Sequence, residues 1–245
     1  MTILDSLARI KHNPRLWARE FYLKRQEIFA NYDGALPLFR VVSRMYYSQE
    51  HSYLYFRIPK AANSTIIATL ATHSSEKKIR NWDEMSRLKS SGGSPIKLST
   101  KDLENLFIFT VVRDPVARAI SAYQDKIMKP TPQSSMLRRV LKKRDDITFN
   151  DFLDFLQYED GTNLDGHFAL QSDLCFLPLQ MIDHVGKFED LASSISHCTR
   201  AIFGKDISQV DWSPHKTNGL EITTMQRRRL SLIYEQDFEK FAYDV

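Results

Sequence analysis

The sequence predicts an α/β fold: one domain spanning residues 1–245, with a central, mainly parallel sheet flanked by helices. Three observations carry this. Leu106 to Val112 is a nearly continuous apolar run of strand length, as in a parallel strand covered on both faces. Tyr53 to Ile58 is aromatic and branched, stops at Pro59, and leads through small residues into a helical stretch from Ile66 to Leu70. Directly after Val112, Asp114 can cap a helix and Pro115 fits its first turn, where no N–H is needed. Strands alternating with helices pack as a largely parallel sheet.

The remaining elements follow in chain order. Residues 1–50 read as a helical extension, in which Leu16, Trp17, Phe21 and Ile28 recur at near-helical intervals among basic residues. That pattern predicts an amphipathic helix over Pro14–Ala30, packed on the domain surface. Ser90 to Pro95 holds two glycines and a proline in a polar cluster and predicts a mobile surface loop. The helix after Pro115 runs through Ala117, Ile120, Ala122 and Tyr123. Ser134–Arg144 and Thr148–Tyr158 predict helices, Asp183–Phe188 a short strand, and Glu221–Phe241 a long closing helix.

Composition narrows the function. With 245 residues, 42% of them hydrophobic, the chain can bury one substantial core. No run approaches the ~18 apolar residues of a membrane span, and Met1 to Ile10 lacks the apolar block and cleavage site of a signal peptide. Cys175 and Cys198 make neither a disulfide framework nor a zinc site, which points to a reducing compartment. A net charge of +4, from 34 basic and 30 acidic residues, suits anionic ligands but does not mark a nucleic-acid binder.

Ligands of parallel sheets collect beyond the carboxyl ends of the strands, where two candidate loops lie. The first, Pro59 to Thr65, offers backbone N–H groups at a helix entrance, the hydroxyls of Ser64 and Thr65, and the ammonium of Lys60. Such a set suits a phosphate or sulfate group, and a simple helix-entry loop fits the same residues. The glycine-rich loop of nucleotide hydrolases is absent, because here the lysine precedes small residues instead of following glycines. A lysine so placed can meet the bridging oxygen of a phosphosulfate, where charge grows as the S–O bond breaks. In the second, Arg113 stands at the strand end and Ser121 two turns into the next helix, so a phosphate lying along that helix can meet both. Taken singly, Arg113 also reads as a partner of Asp114 or Asp125, and Ser121 as an ordinary helix residue.

Together the motifs resemble a known family. Tyr55-Phe56-Arg57-Ile58-Pro59-Lys60-Ala61-Ala62-Asn63-Ser64-Thr65 and the stretch Val111 to Lys126, with Arg113-Asp114-Pro115, Arg118 and Ser121, resemble the two nucleotide-binding motifs of carbohydrate sulfotransferases (sulfotransferase family 2). Phe152–Phe155, Asp165-Gly166-His167-Phe168 with Gln171 and Cys175, Val185–Leu191 and the ending Ile233–Asp244 resemble the branch with the HNK-1 and chondroitin/dermatan 4-O-sulfotransferases. The likeness runs from about Tyr53 to the C-terminus.

The resemblance implies a P-loop-like nucleotide-binding fold and transfer of a sulfuryl group from 3'-phosphoadenosine 5'-phosphosulfate to an acceptor hydroxyl, on a saccharide or glycan. Displacement would be in line, with no covalent enzyme intermediate and no metal. Lys60, Ala61, Ala62, Asn63, Ser64 and Thr65 would hold the 5'-phosphosulfate, and Arg113 and Ser121 the 3'-phosphate. His167, at the family's His-Trp position with Phe168 in place of the tryptophan, is the candidate general base. His51, His73, Asp165 and Glu189 are alternatives. Golgi relatives carry a membrane anchor and paired cysteines after the His-Trp region, and neither is seen here, which points to a cytoplasmic, bacterial relative. Asn63-Ser64-Thr65 matches a glycosylation acceptor but reads as unmodified, since a glycan there would block the loop.

Arg138-Arg139 with Lys142-Lys143-Arg144, and Arg227-Arg228-Arg229, read as solvated helix faces ahead of a track for an acidic sugar chain. Two rival functions stand beside transfer of sulfate. A phosphotransferase using ATP needs a Mg2+ site and a glycine-rich loop. A non-catalytic binder of anionic polysaccharide predicts salt-sensitive binding that ignores Lys60 and Arg113.

Overall fold

A computed structural model describes residues 13–75, 79–143, 145–159, 164–210, 212 and 219–245. Met1 to Ile10, Arg144 and part of the N-terminal extension lie outside them. Four strands form one sheet in the order β1-β2-β3-β4: β1 Met45–Ser48, β2 Tyr53–Phe56, β3 Phe107–Val112 and β4 His184–Lys187. β2, β3 and β4 are parallel, and β1 adds an antiparallel edge. The expected α/β architecture with a mainly parallel sheet is what forms.

The main helices are α1 Pro14–Leu23, α2 Asn63–Ser75, α3 Trp82–Ser90, α4 Pro115–Lys126, α5 Pro132–Val140, α6 Phe149–Tyr158, α7 Leu191–Phe203, α8 Thr224–Ile233 and α9 Glu235–Phe241. Because side chains alternate along a strand, β2 and β3 feed two separate cores. Leu54, Phe56, Ile108 and Val112 pack with α4, α6, α8 and the N-terminal segment. Tyr53, Tyr55, Phe109 and Val111 pack on the other face with Ile66, Ile67 and Leu70 of α2 and Ile195 and Cys198 of α7. Paired across the parallel strands, Tyr55 and Phe109 stack with ring centres 4.6 Å apart. Covered on both faces, the sheet offers ligands its carboxyl edge, where β2 runs into Lys60 and β3 into Arg113.

Three expectations need correction. The N-terminal fifty residues are not wholly helical: Met45–Ser48 forms β1, joined to β2 by a short turn. The helix predicted to Ala30 stops at Leu23, and a 3-10 turn follows at Glu27–Phe29. Its inner face is Glu20 and Leu23, while Trp17 and Phe21 stay exposed and stack on each other. Glu20 is buried because its carboxylate accepts the N–H groups of Leu38 and Phe39 at the start of the short helix Leu38–Val42, a role a charged residue does not advertise. The closing helix is two helices, broken at Tyr234, whose buried hydroxyl donates to the Phe168 carbonyl.

Ser90–Pro95 leaves α3 as a surface link tied to the sheet edge. Ser90 ends α3, and Gly93 N–H donates to Tyr47 C=O on the edge strand at 2.8 Å. A Cβ on Gly92 would sit 2.9 Å from the Tyr46 ring, so this glycine serves close approach to the sheet edge. Among the described residues no helix is long and apolar enough to cross a membrane.

Candidate active site

The loop after β2 is shaped by its backbone. Lys60 and Ala62 adopt φ of +70° and +58°, in the left-handed region that L-residues enter at a cost of about 1–2 kcal/mol each. Left-handed residues within a turn aim successive N–H groups into a concavity, an arrangement that receives anions. The first α2 bond runs from Ile66 N–H to Ala62 C=O, so the N–H groups of Asn63, Ser64 and Thr65 precede it without a helical acceptor. Loop and helix entrance thus form one cradle.

That cradle opens on a cleft of about 580 Å³ lined by Lys60, Ala62, Asn63, Ser64 and Thr65 together with Arg113, Ser121 and His167. Of the predicted site residues only Ala61 stays out of the lining, fully buried beneath the loop. Asn63 is 7% exposed, which fits the unmodified reading of its sequon.

The second motif is set by α4. Asp114 caps it, accepting the Ala117 N–H at 2.7 Å. Positions 114, 118, 121 and 125 recur at helical spacing, and Ser121 and Asp125 both reach the cleft. The Arg113 guanidinium lies over the Phe188 ring at 4.2 Å and donates through Nη1 to the Lys60 carbonyl, tying the two loops together. Its Nε is buried with no hydrogen-bond partner. Gln171 fixes the Arg113 backbone, accepting its N–H and donating to its C=O.

Cations dominate the electrostatics. Lys60 Nζ donates to Asp125 Oδ2 at 3.0 Å, and Lys126 and Lys129 bind the same carboxylate. Burial would raise the Asp125 pKa, but Lys60 and Lys126 override it and hold the group well below the usual carboxylate range. Burial also lowers the Lys60 pKa. Lys89 on α3 donates to Ser64 Oγ at 2.7 Å; burial, then the charges of Arg57, Arg44, Lys126 and Lys60, bring its pKa down to about 8.

A match to the Sulfotransferase family covers residues 43–244. The chain belongs to that family. Similar curated proteins are carbohydrate sulfotransferase 9 of Homo sapiens, 26% identical over 205 residues (72% of this chain, 46% of that protein), and carbohydrate sulfotransferase 14 of Danio rerio, 26% identical over 167 residues (61% and 46%). Carbohydrate sulfotransferase 8 of Mus musculus is 24% identical over 245 residues, covering 83% of this chain and 57% of that protein. The chain spans about half the length of the curated relatives it matches. No solved structure matches it. The match starts at residue 43, so the family region takes in β1, ten residues before the resemblance read from Tyr53.

The candidate bases separate cleanly. His167 lines the cleft, and Asp165 Oδ1 holds both its backbone N–H, at 2.9 Å, and its ring Nδ1. Burial keeps the imidazole pKa below its ordinary value despite Asp165, and Arg44 and Lys126 push the same way. Asp165 is committed to that ring and to Gln133. His51 and His73 instead pack against Phe203 outside the lining. Glu189 accepts the Asp114 N–H and the Tyr243 hydroxyl.

Sequence reasoning missed Arg44, Trp82, Lys89, Asp125, Lys126, Phe188 and Trp212 in the lining. Asp125 was within reach, one helical turn after Ser121; Lys89 and Arg44 carry no local signal. The basic run Arg138, Arg139, Lys142 and Lys143 lines a separate, open concavity with Ser135. Lys143 pairs with Asp151 and Arg229 with Asp154, so part of that charge is already balanced.

Proposed function

We propose that this chain transfers a sulfuryl group from 3'-phosphoadenosine 5'-phosphosulfate to a hydroxyl of a carbohydrate acceptor. The observation that carries it is the convergence of two motifs, 53 residues apart from Lys60 to Arg113, on one cation-rich cleft. The cleft volume lies within the usual range for small-ligand sites, and Arg113 and Ser121, which both line it, suit a phosphate dianion. The names of the curated relatives supply the acceptor class.

In this reading the cradle N–H groups and Lys60 receive the 5'-phosphosulfate, and Arg113 and Ser121 the 3'-phosphate. Asp165 occupies Nδ1 of His167, which leaves Nε2 to take the acceptor proton. As the acceptor oxygen bonds to sulfur, the bond from sulfur to the bridging phosphate oxygen breaks, and the Lys60 ammonium meets the charge left there. Three N–H donors let Lys60 do so while still bonded to Asp125.

Asp125 also weighs against a phosphotransferase, since a carboxylate gripped by three lysines is poorly placed to hold Mg2+. We also read the chain as cytoplasmic: Cys175 and Cys198 are free and buried, as in a reducing compartment.

Calorimetric titration with 3',5'-bisphosphoadenosine, AMP and ATP tests the donor. The bisphosphate should bind more tightly than AMP. Arg113→Ala should remove that preference, a loss of about 10- to 150-fold for a charge-assisted contact, and leave AMP nearly unchanged. Equal affinities in the native protein, or a preference that survives Arg113→Ala, would overturn the proposal.

A further inference from the structure

Arg118 is 1% exposed. Its guanidinium donates through Nε to Pro59 C=O at 3.1 Å, through Nη1 to Ala169 C=O at 2.8 Å and through Nη2 to Gly166 C=O at 3.1 Å. Pro59 immediately precedes Lys60, while Gly166 and Ala169 bracket His167. We infer that Arg118 is a positioning residue that locks the His167 loop to the Lys60 loop and so sets the distance from base to leaving group. The inference rests on the reading that His167 and Lys60 act at opposite ends of one displacement at sulfur.

A buried arginine is a costly way to fill space. Burying a guanidinium costs several kcal/mol unless its hydrogen bonds are well made. All three acceptors are neutral carbonyls. Asp237, which favours the charge from nearby, spends its own carboxylate on the N–H groups of Gln171 and Ser172. A buried methionine would fill similar space without the desolvation cost. What it lacks is a rigid planar fork that reaches two loops at fixed angles. Tyr234 and Asp237 hold the far end of the same loop, at Phe168, Gln171 and Ser172, and Gln171 in turn holds Arg113. Arg118 is the member that reaches across to Pro59.

The test compares native protein with Arg118→Lys, which keeps charge and loses the fork, after unfolding curves show that the variant is folded. The first readout is the His167 imidazole titration by NMR, with His184 as internal reference. The charged neighbours that bear on it are Asp165, Arg44 and Lys126. The second is affinity for 3',5'-bisphosphoadenosine.

A relaxed loop hydrates the imidazole, so its titration should rise toward the ordinary histidine value while His184 holds still. Affinity should fall about fivefold, the worth of one lost hydrogen bond. Movement of both supports the brace; movement of one alone, or of neither, overturns it. Should Arg118→Lys fail to fold, hydrogen exchange on native protein decides instead. Bisphosphoadenosine should slow the amides of Phe168 and Ala169, and unchanged rates would sink the coupling. If native protein does not bind the bisphosphate at all, the function proposed above falls, and the titration of Arg118→Lys alone decides the brace.

Discussion

The Lys60 loop and the Arg113–Ser121 wall line one cleft, yet they are built differently. Arg113 directly follows a parallel strand and Ser121 sits on a capped helix, neither with positive φ. The Lys60 loop owes its cradle to two left-handed residues that are not glycine, held by the surrounding structure. The difference separates two kinds of recognition. In the proposed reading the wall takes a phosphate with side chains placed by strand end and helical spacing, and the loop takes its anion largely with backbone, Lys60 adding the charge. Substitution should therefore injure the wall through affinity and the loop through the chemical step.

The strongest test of that contrast is Lys60→Ala. Turnover, followed as labelled sulfate reaching a carbohydrate acceptor, should drop about 100- to 1000-fold. Donor affinity by calorimetry should change less than about tenfold, because the cradle N–H groups remain. Equal losses would make Lys60 a binder only and erase the distinction.

A smaller effect is expected at Ser121→Ala. Bisphosphoadenosine affinity should weaken about fivefold, with unchanged affinity for AMP, since one neutral hydrogen bond is lost. A loss exceeding that of Arg113→Ala would reverse the ranking within the wall.

Smallest of all is Ala62→Gly. Relief of left-handed strain and the greater freedom of the unfolded glycine oppose each other, leaving a net stabilisation below about 1 kcal/mol in urea unfolding. Destabilisation would show that the Ala62 methyl matters for packing more than its backbone is strained.

What the sequence made legible follows the same division. β3 and α4 could be read from an apolar run, an Asp-Pro cap and a helical stripe, and Arg113 and Ser121 came with them. The positive φ angles of Lys60 and Ala62 leave no trace in residue type, because glycine is the usual marker and is absent there. β1 was hidden because four residues are too few to show an alternating pattern. Trp17 and Phe21 misled for a physical reason: helical periodicity shows that one face is apolar, not that it is covered, and the buried anchor was Glu20. Lys89 reaches the loop through tertiary packing of α3.

Asp125 gives the cleft a resident rival. Any anion arriving at Lys60 is weighed against a carboxylate that already shares three ammonium groups. Weak, singly charged solutes gain little from that exchange, whereas a ligand with two anionic ends can engage both loops at once and recover the difference. In the proposed reading, the carboxylate bonded to Lys60 thus sets an entry threshold, favouring a doubly anchored nucleotide over simple phosphate and sulfate.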